Sequence, residues 1–293
     1  MRCLPAAQKP RLSSTTAGDG FTLMELMAVM AIISVLAAII LPALANARER
    51  SRSIYCVNNT RQLTLAWHLY ADDHEGMLPY NVPMETPART NLNWVNNVMT
   101  WDLSPDNTNL NTISEAALGP YVLGVTSIYR CPSDRVLSAV QIAAGWTQRL
   151  RSYSMNAMVG NPGSSNSVNA NNPGYRQFLN LDQIAHPTEI FVFLDEHPDS
   201  IDDGYFIDTE PASSAINMSS VPINEWRDLP ASYHNRSAAF CFADGHASLH
   251  HWQNGSTIAP ATPYEANLPI QIPNSATEDS DFEWLIEHMS VEN

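Results

Sequence analysis

The run from Leu26 to Ala47 is 22 residues without a charge, slightly longer than the ~20 that a helix needs to cross the hydrocarbon core of a bilayer. That run divides the chain into an apolar anchor and a body polar enough to stay in water. Glu25 stands immediately before it. An ionised group in the bilayer core costs about 2.5–3.5 kcal/mol on insertion scales, so a carboxylate at this place implies a task.

Charge restricts what the body can bind. Residues 62–293 hold 8 basic and 27 acidic residues, a net charge of −19. Phosphate recognition needs a basic footprint, so nucleic acid is excluded as a partner. Such a surface suits an extracytoplasmic, solvated body or one that collects cations. Arg2, Lys9 and Arg11 precede the apolar run while Arg48, Arg50, Arg52 and Arg61 follow it, so basic residues alone do not set its orientation. Of the four cysteines, Cys3, Cys56, Cys131 and Cys241, none falls in a zinc-type spacing. In an oxidising extracytoplasmic body a Cys56–Cys131 disulfide is expected, although spacing leaves the connectivity open. Cys241, inside AAFCFA, reads as a buried, inert thiol.

Two ordinary readings of residues 1–47 are a secretory signal cleaved at Ala45-Asn46-Ala47 and a plain transmembrane anchor. The apolar stretch exceeds the ~7–15 residues usual for a signal peptide, and a plain anchor leaves Glu25 unexplained. The string Gly20-Phe21-Thr22-Leu23-Met24-Glu25-Leu26 closely resembles the processing signal of type IV pilins and type II secretion pseudopilins. The resemblance implies cleavage after Gly20 by a prepilin peptidase and methylation of Phe21. It places Glu25 fifth in the mature chain and Pro42 twenty-second, where pilins commonly kink the helix. It also implies that Glu25 pairs with the N-terminus of a neighbouring subunit, since a buried charge is tolerated when paired and costly when alone. The 20-residue leader is longer than the pattern.

The helix need not stop at the membrane surface. From Ser51 to Tyr70, Ile54, Val57, Leu65, Ala66 and Leu69 recur at helical spacing, and Gly76 and Pro79 supply the stop. About 50 residues of helix would run ~75 Å. Beyond it, EIFVFLDE (189–196) reads as a buried strand and DFEWLIEHM (281–289) as a short helix burying Phe282, Leu285, Ile286 and Met289. NTISEAALGPYV (111–122) can hold a short helix. The expected fold is α+β: a long N-terminal transmembrane helix continuing into a head domain with an antiparallel β-sheet. The expected division is a leader at 1–20, a transmembrane and filament-core helix at 21–47, its periplasmic continuation at 48–76, and an acidic head at 77–293.

YHNRSAAFCFADGHASLHHW (233–252) is the most distinctive stretch of the head. His234, nine residues, then Asp244-Gly245 resembles the His-X9-Asp-Gly signature of a large pilin-like group. CVNNTRQLTLAWHLYADDHEGMLP (56–79), CPSD (131–134) and SYSMN (152–156) extend that resemblance. Asp-Gly predicts a two-residue type I′ hairpin turn, pairing Ala243 with His246 and Cys241 with Ser248. The residues are then either local turn chemistry or a transition-metal site of His234, Asp244 and His246, joined by Asp195, Glu196 or His197. DSIDDGYFIDTE (199–210) places Asp199, Asp203 and Glu210 at ligand positions of a calcium loop, but Ile201 stands where an oxygen ligand belongs. It is either a loose Ca2+ loop or a solvated acidic turn.

No nucleophile elbow, P-loop or dinucleotide fingerprint is present. The expected function is a structural, non-enzymatic pilin-like subunit: a pseudopilin of a type II secretion-like system or a type IV pilus-like filament. Its partners are prepilin peptidase and other pilin or pseudopilin subunits. The expected location is the bacterial inner membrane, single-pass, with the head in the periplasm or at the cell surface. The alternatives are an anchored extracytoplasmic metal-dependent enzyme and a surface-binding module for glycans, each using the same export signal.

Overall fold

The computed structural model describes residues 21–83, 91–163, 174–208, 225–265, 268–271 and 280–292. The chain divides into two compact units, Met1–Ala47 and Arg48–Asn293.

In the first unit the helix α1 (Leu23–Asp73) begins. Thr22 and Glu25 form a reciprocal cap. The Glu25 carboxylate accepts the Thr22 backbone N–H (2.9 Å) and hydroxyl (2.8 Å), and Thr22 Oγ1 accepts the Glu25 N–H (3.2 Å). The pair satisfies donors that a helix start leaves without partners. Large apolar side chains from Leu23 to Leu44 are 44% or more exposed, and the best 18-residue window has mean hydropathy 2.7. This is an apolar surface on all sides, as lipid contact requires. Pro42 lies within the helix without ending it.

The second unit starts with the remainder of α1. Its buried positions Ser53, Cys56, Thr60, Leu63, Trp67 and Tyr70 follow one another at spacings of three and four. Ile54, Leu65 and Leu69 are instead exposed, so the buried stripe is not the one their spacing suggests. Ser53, Thr60 and Thr64 are buried and polar, but each hydroxyl finds a carbonyl about one turn earlier: Ser53 to Arg50 (2.8 Å), Thr60 to Val57 (3.0 Å) and Thr64 to Thr60 (3.1 Å). A small polar residue satisfied in this way can face a core at little cost. The helix ends at a turn in which Gly76, at φ 82°, donates to Ala71 O (2.8 Å).

Beyond α1 come two short helices, α2 (Asn111–Ser114) and α3 (Ala139–Ala143). The central sheet is built from β1 (Tyr153–Asn156), β2 (Phe191–Asp195), β3 (Tyr205–Phe206), β5 (Ser237–Phe242) and β6 (Ala247–His251), in the order β3-β1-β2-β5-β6. Its pairs are antiparallel except β1–β3, which is parallel. β4 (Glu225–Trp226) and β7 (Ile270–Gln271) pair separately, and α4 (Ser280–Met289) closes the described chain. The fold class is α+β, one long apolar helix followed by a head with a five-stranded sheet.

The two faces of the sheet have different composition. Ala239 and Ala243 of the β5 hairpin pack with Trp67, Tyr153 and Phe193 in the cluster that includes α1. Phe240 and Phe242 pack on the other side with Trp252, Phe282 and Leu285. A bulge between Phe191 and Phe193 interrupts the register of β2 against β5, so Val192 and Phe193 both join the α1-side cluster.

The hairpin register differs from expectation by one residue: Cys241 faces Ala247 and Phe240 faces Ser248. Among the turn residues only Gly245 has a left-handed φ, 86°, and its N–H donates to Phe242 O (2.9 Å). The turn is therefore a three-residue connection with a glycine bulge, not type I′.

A candidate metal centre between helix and sheet

Four side chains from distant parts of the head converge. Cys56 comes from the buried stripe of α1, Cys131 from the CPSD turn, Asp195 from the end of β2 and His234 from the turn before β5. One donor atom from each lies within 4.8 Å of the others. Cys56 Sγ is 2.7 Å from Asp195 Oδ2, His234 Nε2 is 3.3 Å from the same oxygen, and Cys131 Sγ is 3.3 Å from His234 Nε2. Cys56, Cys131 and Asp195 are fully buried and His234 is 4% exposed.

Local backbone explains how each group arrives. β2 alternates its side chains, so Asp195 follows Leu194, which faces the aromatic side, and turns toward α1. The CPSD turn closes with Asp134 N–H on Cys131 O (3.1 Å). His234 begins a tight turn in which Asn235 (φ 54°) and Arg236 (φ 65°) are both left-handed, and its N–H donates to Ser237 O (3.2 Å). Non-glycine residues in that region carry strain, which concentrates at functional sites.

A second layer holds these groups. His234 Nδ1 is 3.1 Å from Glu49 Oε1 on α1, and that carboxylate also accepts Ser133 Oγ (2.7 Å) and pairs with Arg52 (3.2 Å). The Tyr153 hydroxyl donates to Cys56 Sγ (3.2 Å). Asp195 Oδ1 is buried and has no hydrogen-bond partner among the described residues. It is one of several buried polar atoms so placed, and the one that belongs to the four-donor cluster.

The electrostatics hold protons on Cys56 and His234. Burial pushes the Cys56 thiol well above its ordinary range, reinforced by the neighbouring Cys131 and Asp195. Burial disfavours the charged form of His234, yet the hydrogen bonds to Asp195 and Cys131 outweigh it and push its pKa up to about 11. Without a cation, Cys56 and His234 therefore keep their protons. A divalent ion would replace those protons. Two thiolates, an imidazole and a carboxylate form a four-donor set of the kind zinc takes.

Several sequence expectations change here. In place of the expected disulfide, the structure holds Cys56 and Cys131 as free cysteines, with Cys56 against Asp195 and Cys131 against His234. His234 joins the cluster, while Asp244 and His246 pair with each other on the β5–β6 turn (2.6 Å). The Asp244 carboxylate also accepts the His246 N–H (3.0 Å), and His246 stacks on Phe242. Glu196 bonds the Ser154 hydroxyl, and burial raises its pKa to about 8. His197 contacts Ala259 O (3.0 Å). Asp199 accepts the Thr262 N–H (2.6 Å) and Asp203 the Tyr205 N–H (2.7 Å). Gly20 and Glu210 lie outside the described residues, and Phe21 is exposed. Sequence reasoning missed Glu49 and Tyr153, and it read Cys56 and Cys131 as a disulfide rather than as donors. The seven-residue interval from Glu49 to Cys56, two helical turns on one face, is the signal that points to Glu49.

The expectation that the chain is not an enzyme is overturned by this cluster, while the expected possibility of a transition-metal site is met by it. A buried set of two cysteines, a histidine and an aspartate gives the head a donor group of the kind that can hold a metal ion.

Comparison with known proteins gives two family matches. The prokaryotic N-terminal methylation motif matches residues 19–41. With the exposed apolar helix, that match makes the chain a pilin-like, single-pass protein of the bacterial inner membrane with an extracytoplasmic head. No curated protein and no solved structure matches. The family described as "Protein of unknown function (DUF1559)" matches residues 45–221, more than half of the chain, and the chain belongs to that family.

Proposed function

We propose that this chain is a membrane-anchored, extracytoplasmic, metal-dependent protein exported by the prepilin route, and that its head binds one zinc-class divalent ion through Cys56, Cys131, Asp195 and His234. The observation that carries the reading is the convergence of those four donor atoms within 4.8 Å in a buried site. Asp195 would be the one carboxylate of the set, and its Oδ1 has no hydrogen-bond partner among the described residues. Held by these four residues, such an ion would supply Lewis acidity at the site.

The export half rests on the methylation motif. A leader through Gly20 is removed, Phe21 becomes the methylated terminus, and prepilin peptidase is the processing partner. The apolar surface of Leu26–Ala47 serves membrane insertion and packing against helices of neighbouring pilin-like subunits.

The test is elemental analysis of the full-length chain purified in detergent, with mass spectrometry of its N-terminus. One zinc-class ion per chain, lost in Cys131→Ser and His234→Ala, supports the reading. A metal-free chain with Cys56 and Cys131 joined as a disulfide overturns it. A terminus other than Phe21 overturns the export route.

A further inference from the structure

We infer that Glu49 is a positioning residue of the metal centre: it accepts the Nδ1 proton of His234 and so fixes the imidazole with Nε2 turned toward Asp195 and Cys131. This rests on the metal-binding reading above. Imidazole has two nitrogens, and only the one without hydrogen can bind a metal. A carboxylate at Nδ1 selects the tautomer whose free lone pair is on Nε2, and it makes that nitrogen a better donor.

The geometry meets each requirement. Glu49 Oε1 is 3.1 Å from His234 Nδ1, whereas His234 Nε2 is 3.3 Å from Asp195 Oδ2 and 3.3 Å from Cys131 Sγ. Glu49 is itself held by Ser133 Oγ at 2.7 Å and Arg52 at 3.2 Å. Ser133 is two residues after the donor Cys131, and Glu49 is seven residues before the donor Cys56. One carboxylate therefore links three of the segments that supply donors: α1, the CPSD turn and the turn at His234. The alternative is that Glu49 only ties α1 to the CPSD turn, with the imidazole contact incidental.

Zinc affinity of the full-length chain in detergent, measured by competition with a chromogenic chelator, separates these roles. Visible absorption of the cobalt(II)-loaded chain reports the ligand field beside it. Glu49→Ala is expected to weaken zinc binding about 10–100-fold, the usual effect of removing such a partner, and to shift the cobalt bands. Glu49→Gln keeps an oxygen acceptor for Nδ1–H, so it is expected to recover most of the affinity and the wild-type band positions. Ser133→Ala, which removes the Glu49 tie between helix and turn but keeps the imidazole partner, is expected to cost much less. Equal losses in Ser133→Ala and Glu49→Ala, or no loss in a folded Glu49→Ala variant together with unshifted bands, would overturn the role. A wild-type chain that binds neither zinc nor cobalt would overturn the metal reading itself, an outcome distinct from both.

Discussion

The two faces of the central sheet use the same backbone for opposite purposes. Toward α1, β5 and its turn present small residues, Ala239, Cys241 and Ala243, so the helix can come close and bring Cys56 to Asp195. Toward α4, the same strand presents Phe240, which meets Trp252 and Trp284 edge-to-face at 5.9 and 5.0 Å. One face holds polar donors in a buried cluster, and the other stacks rings. Chemistry here follows from how near a helix lies to the sheet, since side-chain size decides which atoms converge.

Emptying the α1 face of its donors should have the largest effect. In Cys131→Ser/His234→Ala the thermal midpoint should stop responding to chelators, whereas the wild-type midpoint should fall on metal removal, because binding only to the folded state stabilises it. On the ring side, Trp252→Ala removes a fully buried side chain whose indole donates to Ala231 O at 2.8 Å. A loss of about 3–5 kcal/mol is expected in denaturant unfolding, with metal affinity unchanged. A coupled loss would show that the faces are not independent. Ala239→Leu tests the close approach of α1: overpacking should cost about 1–3 kcal/mol and weaken metal binding too, read by the same two assays.

The smallest effect concerns pH. His250 stacks on Trp284 at 3.6 Å and packs against Trp252 and Phe240. Burial lowers its pKa to about 4, against the nearby Asp281 and with help from His288 and His251. A histidine depressed in the folded state is protonated first in the unfolded chain. Its contribution to stability is therefore present above about pH 6.5 and lost as pH falls toward 4. His250→Gln should flatten that part of the stability–pH curve. An unchanged slope would place the dependence elsewhere.

Much of the fold is legible in the sequence because its signals are local. The charge-free run, the apolar run of β2 and the spacing of Phe282, Leu285, Ile286 and Met289 each depend on a few adjacent residues. The hairpin register is not, since Asp-Gly is compatible with two turn geometries and a single φ decides between them. The buried stripe of α1 is hidden because Ser53, Thr60 and Thr64 read as polar while their hydroxyls are satisfied within the helix. The site is legible only in pieces. Cys56 and Cys131 stand out as a pair and His234 with Asp195 as ligands, but Cys56 and Asp195 are 139 residues apart and Cys131 and His234 are 103 apart. No spacing rule joins residues so distant, and only the folded sheet brings them together.

The left-handed pair Asn235–Arg236 has a cost that runs through the chain's mutational tolerance. Glycine at 236 would remove a backbone penalty of about 1–2 kcal/mol, so selection for stability alone would favour it. Glycine would also free the hinge on which His234 is aimed and remove the Arg236 hydrogen bond to Gln253 O (3.0 Å). Arginine at that position bears the left-handed conformation next to the imidazole donor while its guanidinium holds Gln253 O.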